Sequence, residues 1–230
     1  ATTGGGGANN VQPFSFSHHT GDFALAHNGN LVNSKELSHY LEVRGSLFHS
    51  SSDSELLAHL VKKEKSEDRR IDNIMEALNM IEGAFAFLIM TKNRIYACRD
   101  KHGLRPLALG KLGDGYVISS ATCALDIVGA EYIRDIEPGE VISIDQNHGI
   151  RTNKYSLYQR HLMCAMEYIY FARPDSDIEG CNVHAFRKLT GKYLYEQSPI
   201  KADVVIGVPD SSISAAIGYS EASGIPYEMG

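Results

Sequence analysis

The chain has 230 residues, 43% hydrophobic and 22% charged, with a formal net charge of −6. Such a chain is long enough to bury a core in one large domain or two smaller ones, and its acidic balance excludes a dominant nucleic-acid partner. The longest continuous apolar run, Ala84 to Met90, is far short of the roughly 18 residues of a membrane-crossing helix.

Residues 1–12, rich in Gly, Asn and Thr, read as a loop. The spacing predicts a strand over Asp22–Ala26, closed by a tight turn at Asn28-Gly29. Asn33, with Glu36 three residues on, has the form of a capping box opening a helix that runs to about Val43 and ends before Gly45. Ser52-Asp53-Ser54-Glu55 repeats that form ahead of Leu56, Leu57, Leu60 and Val61 at helical spacing, and a third helix is expected over about Ile71–Ile81. GAFAFLIM and RIYACRD then read as paired strands around Lys92-Asn93, and PLALGKL and GYVISSA as a second pair. A short helix at Ala121–Val128 and a strand after Pro138-Gly139 follow. Helices packed on antiparallel sheet are the expected arrangement.

The polar stretch around 145–162 predicts a domain junction, giving domains at 1–150 and 151–230. Beyond it, MEYIYFARPDS predicts a strand and an exposed turn, with Met163, Met166, Tyr168, Tyr170 and Phe171 in the core. A helix is expected at about Val183–Gln197. ADVVIGVP reads as a buried parallel strand, Asp210–Ser212 as a loop, Ile213–Ser223 as a helix and GIPYEMG as the next strand, which together make a βαβ unit.

Three polar constellations stand out. GVPDSS places Asp210, Ser211 and Ser212 between a strand and a helix N-terminus, where backbone N–H groups are available to an anion; ordinary helix capping is the alternative. Asp53 reads as a capping acid of the first helical turn. In AHNGNLVN, Asn30 and Asn33 exceed what a turn needs, and amide donors aimed at one point can stabilise an oxyanion. Arg99, Asp100 and Arg105 in RDKHGLRPL read as a network holding a loop. The ten histidines, His18, His19 and His27 among them, show no metal spacing. The four cysteines, Cys98, Cys123, Cys164 and Cys181, show neither C-x-x-C nor zinc spacing and read as reduced thiols in a cytoplasmic protein.

In this order, ATTGGG, AHNGNLVN, SSDSELL, RDKHGLRPLALG, MEYIYFARPDS and GVPDSSISAAIGYSEASGIPYE resemble the amidophosphoribosyltransferase (glutamine phosphoribosylpyrophosphate amidotransferase) family over essentially the whole chain. The first motifs suit any glutamine amidotransferase of the N-terminal-nucleophile class, and the last two are particular to this family. The resemblance implies a mixed α/β (α+β) architecture: an αββα glutaminase domain followed by the start of a type I phosphoribosyltransferase domain. It implies glutamine hydrolysis and transfer of the ammonia to phosphoribosylpyrophosphate with Mg²⁺, the first committed step of purine synthesis. Asn28 and Gly29 would form the oxyanion hole, Asp53 would hold the α-amino group of glutamine, and Thr2 would contact glutamine. Asp210 and Ser212 would bind pyrophosphate, Ser211 would contact Mg²⁺, and Cys164 would supply one thiolate of a [4Fe–4S] cluster whose other ligands lie outside the chain. The resemblance further implies a homo-oligomer, tetramer or dimer, without nucleic-acid or membrane partners.

The family's nucleophilic terminal cysteine, its Arg-Tyr pair and its paired-acid phosphoribosyl loop have no counterpart between Ala1 and Gly230. A piece of a longer protein, inactive by itself, is therefore expected. The alternatives are the glutaminase unit of another N-terminal-nucleophile amidotransferase, against which GVPDSS argues, and a binding module without a nucleophile.

Overall fold

The computed structural model describes residues 8–17, 21–61, 67–156 and 160–230. No helix among them is long and apolar enough to cross a membrane. After a 3-10 turn at Ala8–Asn10 come strands β1 (Phe14–Phe16) and β2 (Phe23–Leu31) and helices α1 (Ser34–Glu42), α2 (Ser54–Val61) and α3 (Glu67–Met80). Next are β3 (Gly83–Thr91), β4 (Arg94–Arg99), β5 (Ala108–Leu112), β6 (Gly115–Ser119), α4 (Thr122–Val128), β7 (Glu131–Asp135), β8 (Glu140–Asp145) and β9 (Gly149–Lys154). The chain continues with β10 (Asp177–Ile178), β11 (Cys181–Asn182), α5 (Val183–Gln197), β12 (Val205–Ile206), α6 (Ile213–Ser223) and β13 (Tyr227–Glu228). It divides into two compact units, Ala1–Leu107 with Ile136–Met163, and Ala108–Asp135 with Cys164–Gly230.

The first unit is an antiparallel sheet, in the order β1-β2-β3-β4-β8-β9, packed against α1, α2 and α3. Successive side chains alternate faces, so Leu25 and Leu31 of β2 and Phe85, Phe87 and Ile89 of β3 are buried with Leu56 and Leu57 of α2. Each such side chain contributes about 1.5–3 kcal/mol by leaving water. The turn expected at Asn28-Gly29 is absent. β2 runs straight through it, paired with β3 from Phe23 opposite Thr91 to Leu31 opposite Gly83. An Asn-Gly pair permits a turn but does not compel one when a nine-residue ladder continues on both sides.

Neither capping box forms as predicted. Asn33 makes no side-chain bond to α1; its amide donates to the Met80 carbonyl and its carbonyl accepts from the Glu82 N–H. Asn33 thus ties the start of α1 to the end of α3, a contact no local pattern reveals. Glu55 likewise turns away from its own helix end, to residues 49 and 50.

Arg99 and Asp100 hold a loop, as expected, by serving its backbone. The buried Arg99 guanidinium donates to the carbonyls of Gly103 (2.9 Å), Arg105 (2.8 Å) and Ile136 (2.6 Å). The Asp100 carboxylate accepts from the N–H groups of His102 (2.9 Å) and Leu104 (3.1 Å). The polar stretch around 145–162, expected as a junction, contains β9, which pairs with β8 as a strand of this unit. The first unit ends at Met163, beyond the expected boundary at 150, and 108–135 groups with the second unit.

The second unit contains the antiparallel sheet β6-β5-β7, with Leu125 of α4 buried against Ala108. It also contains the expected parallel strand pair, β12 and β13, Val205 opposite Tyr227, joined through α6, but β12 is only two residues long and Val204, Ile206 and Val208, expected to be buried, are exposed. The strand expected in MEYIYF is instead a π-helical turn, Glu167–Phe171, and Met166, Tyr170 and Phe171 are exposed rather than in the core. The buried Arg187 guanidinium accounts for the helical end, donating to the carbonyls of Tyr168 (2.6 Å) and Ala172 (2.9 Å). Helices α5 and α6 cross so closely that a Cβ on Gly191 would lie 1.9 Å from the Ala215 carbonyl oxygen, and one on Gly218 1.9 Å from that of Lys188.

Candidate active site

The outer edge of β2 organises the site. β1 covers this edge only as far as Leu25. Beyond it, the His27 N–H donates to Oε1 of Gln12 (2.6 Å) and the Leu31 N–H to Oδ2 of Asp53 (2.7 Å). Alternation along a strand sends the Gly29 N–H to the same edge. The partner strand agrees: Phe85, opposite Gly29, directs its N–H to Asp100 Oδ2 (3.4 Å) and its carbonyl to the Asp100 N–H (2.9 Å), away from β2. Gly29 and Phe85 are therefore a non-hydrogen-bonded pair, and the Gly29 amide faces outward between two occupied amides. Asn28, half-buried, precedes it and projects its side chain from the opposite face to His27.

Asp53 stands at the entrance to α2, with its side chain 7% exposed. One carboxylate oxygen is held by the Leu31 amide; the other lies 3.6 Å from Nδ1 of His27. A cavity of about 350 Å³ opens beside it, lined by Asn30, Ser34, Lys35 and Ser52 as well as Asp53. Asn30, surplus to any turn, thus faces a cavity. Gly29 thus lies on the strand edge that also holds Asp53, through the Leu31 amide two residues on, and Asn28 precedes Gly29 in that strand; an outward amide and a carboxylate on one edge can meet an anionic oxygen and a cationic group.

Residues 6–126, more than half of the chain, match the family described as "Glutamine amidotransferase domain". The chain belongs to the glutamine amidotransferase family. An amidophosphoribosyltransferase of Bacillus subtilis (strain 168) is 54% identical to this amidotransferase chain over 231 residues, 100% of this chain and 48% of that protein. One from Staphylococcus aureus (strain MRSA252) is 48% identical, over 100% of this chain and 46% of that protein. The solved glutamine phosphoribosylpyrophosphate amidotransferase of B. subtilis, complexed with ADP and GMP, superposes with a TM-score of 0.93 at 53% identity, covering 97% of this chain and 49% of that one. A structure described as the allosteric regulatory enzyme of purine biosynthesis gives a TM-score of 0.94 at 54% identity, covering 100% and 49%. The amidotransferase chain spans about half the length of the relatives it matches.

The loop that presents Asp53 in this amidotransferase is anchored by Glu55, a carboxylate 1% exposed. It accepts from the N–H groups of His49 (3.0 Å) and Ser50 (2.8 Å) and from the Ser50 hydroxyl (2.7 Å). Burial alone would push this carboxyl up, but the hydrogen bonds from His49 and Ser50 outweigh it and hold Glu55 below the usual carboxylate range. A depressed folded-state value means that the stabilisation is complete above the unfolded value, about 4.3, and is lost as pH falls through the folded one. Thermal melts from pH 7 down to pH 3 should therefore show an acid loss of stability that Glu55→Gln flattens, with the variant already weaker at pH 7. Parallel pH dependences in the two proteins would contradict this.

The other sequence-predicted residues lie in the second unit or outside the described residues. Asp210 is exposed, while Ser211 and Ser212 are half-buried ahead of α6. The Ser212 hydroxyl donates to the Val208 carbonyl, and Ala216 N–H to the Ser212 carbonyl (2.9 Å), which fixes the loop to the helix. Cys164 is half-buried and, like the other three cysteines, free. Burial pushes the Cys98 thiol up, which suits a packing residue rather than a nucleophile. Thr2 lies outside the described residues. His27, Gln12 and Ser54 have no sequence signal that would have singled them out: a lone histidine in an apolar strand ordinarily reads as core.

Proposed function

We propose that the chain belongs to an enzyme that hydrolyses glutamine and passes the ammonia to phosphoribosylpyrophosphate, giving 5-phosphoribosylamine, glutamate and pyrophosphate. The observation that carries this reading is the outward Gly29 amide, beside Asn28 and two residues from the Leu31 amide that holds the Asp53 carboxylate, in a chain whose relatives are amidophosphoribosyltransferases. When a nucleophile from elsewhere in the full-length protein attacks the side-chain amide of glutamine, the carbonyl oxygen gathers negative charge. The Gly29 N–H and the Asn28 amide receive it, a stabilisation of about 3 kcal/mol per donor. Asp53 neutralises the α-ammonium and fixes which end of glutamine meets the donors.

In the second unit, the backbone N–H groups of the 210–212 loop and the α6 N-terminus suit the pyrophosphate of the acceptor, with Asp210 and Ser212 as contacts. Ser211, half-buried and next to the exposed Asp210, offers a hard oxygen donor of the kind Mg²⁺ takes, and the ion would neutralise the leaving pyrophosphate. Among the described residues no three Cys, His, Asp or Glu side chains gather as a metal group. Four thiolates are needed for a [4Fe–4S] cluster, so Cys164 would be one ligand and the longer protein would supply the rest. Iron and sulfide analysis of anaerobically purified full-length protein tests that assignment, and absence of iron would end it. A cytoplasmic homo-oligomer fits the free cysteines and the resemblance.

The test uses the full-length protein. Wild type should release pyrophosphate from phosphoribosylpyrophosphate and Mg²⁺ with either glutamine or ammonia. Asn28→Ala should lower glutamine-dependent kcat by about 10²–10³ and leave ammonia-dependent turnover unchanged. No ammonia-dependent turnover in wild type would end the transferase reading and leave a glutaminase with another acceptor.

A further inference from the structure

We infer that His27 is a positioning residue of the glutamine site, holding the Asp53 loop against β2 through Nδ1. This rests on the proposed function. The His27 side chain is 0% exposed and its ring stacks on Phe87, with centroids 4.1 Å apart and planes at 21°. Packing of that kind is available to a phenyl ring, so it does not explain an imidazole. What the imidazole adds is one polar edge. Nδ1 lies 2.9 Å from Ser54 Oγ and 3.6 Å from Asp53 Oδ1. Ser54 Oγ also accepts from the Ser52 hydroxyl (3.1 Å), and the Ser54 N–H donates to Ser52 Oγ (3.3 Å). His27 Nε2 is buried with no hydrogen-bond partner among the described residues, a cost that a phenyl ring would not carry. The polar corner around Ser54 and Asp53 offsets it.

The consequence is one of register. Leu31 holds one oxygen of Asp53 and His27 faces the other, and these two residues lie two places either side of Gly29 on the same strand. The acceptor for the α-ammonium is thereby set relative to the donor for the developing oxyanion, which is the distance a glutamine molecule must span. Without Nδ1 the loop keeps its Leu31 contact and its Glu55 anchor but loses the contacts at Ser54 Oγ and Asp53 Oδ1, so glutamine is held less well while the chemistry that follows binding keeps its groups. An interaction that acts on bound substrate and transition state alike appears in KM and leaves kcat in place.

The experiment compares His27→Phe, His27→Asn and Ser54→Ala in the full-length protein. Phe keeps the stacking and removes Nδ1; Asn can place an amide near the Nδ1 position. His27→Phe should raise KM for glutamine about tenfold, equivalent to about 1.4 kcal/mol, with kcat within about threefold and ammonia-dependent turnover at the wild-type level. His27→Asn should recover most of the loss, and Ser54→Ala should show a smaller rise in KM. A wild-type KM in His27→Phe, or an Asn variant no better than Phe, overturns the positioning role. If His27→Phe loses ammonia-dependent turnover as well, its fold has failed and Ser54→Ala decides: an unchanged KM overturns the proposal, a raised one supports it. A wild-type enzyme without glutamine-dependent turnover sinks the proposed function and this inference together; an active wild type with unmoved variants sinks only the inference.

Discussion

Gly29→Ala should destabilise the first unit by about 3 kcal/mol or more and abolish glutamine-dependent turnover. The added Cβ would lie 2.0 Å from the Ala84 carbonyl oxygen and 2.8 Å from the Phe85 Cα. Both are backbone atoms of β3, so no rotamer change relieves the contact. The cause is the pairing: opposite residues of a non-hydrogen-bonded antiparallel pair bring their Cα atoms to about 4.5 Å. Gly29 sits in such a pair at a φ of 151°, where a side chain points at the neighbouring strand. To admit a methyl group β2 must lift from β3 over the segment that presents the Asn28 amide and the Gly29 N–H. Chemical denaturation and glutamine hydrolysis of the full-length variant measure the two effects. A Gly29→Ala protein with wild-type stability and rate would show that the strands are not so close.

The second large effect is expected at the α5–α6 crossing. Gly191→Ala and Gly218→Ala each put a methyl group 1.9 Å from a carbonyl oxygen of the opposite helix. Overpacking of this kind costs about 1–3 kcal/mol. The two sites share one crossing, so their costs should not add: once one methyl group has parted the helices, the other finds room. The double variant should therefore be less destabilised than the sum of the singles. Because α6 begins just after Asp210–Ser212, the same displacement should raise KM for phosphoribosylpyrophosphate and leave KM for glutamine unmoved. Additive costs, or an effect on glutamine instead, would argue against this account.

Much of the fold was legible where the signal is local and repeated. α5 and α6 carry helical spacing with clear ends, and they fall at Val183–Gln197 and Ile213–Ser223 as read from the sequence. The β3–β4 and β5–β6 hairpins follow from alternating apolar runs around short polar turns. What the sequence hid is which partner each polar side chain finds outside its own helix end. Asn33 caps nothing because Met80 and Glu82 claim its amide. Glu55 leaves the start of its helix uncapped because His49 and Ser50 bring their N–H groups to it, while one of its oxygens stays 3.5 Å from Nε2 of His59 on the same helix. The π-helical turn at Glu167–Phe171 has the alternation of a strand, yet Arg187, nearly twenty residues on, receives its end.

For the candidate site, residue types were readable and geometry was not. Asn28, Gly29 and Asp53 were singled out by resemblance, but a reading of Asn-Gly as a turn concealed what matters: the glycine lies within a strand, where its amide direction is fixed by the ladder. His27 carried no signal, because the loop that gives it a purpose is brought there only by α2.

The outer edge of β2 has one more consequence. An uncovered strand edge with donors in a row invites pairing with a strand from another molecule, the route to aggregation. Here the donor before Gly29 is plugged by Gln12 and the donor after it by Asp53. An incoming strand would find one amide where it needs three in succession. Among the described residues, the edge stays open to a single small acceptor and closed to a second polypeptide.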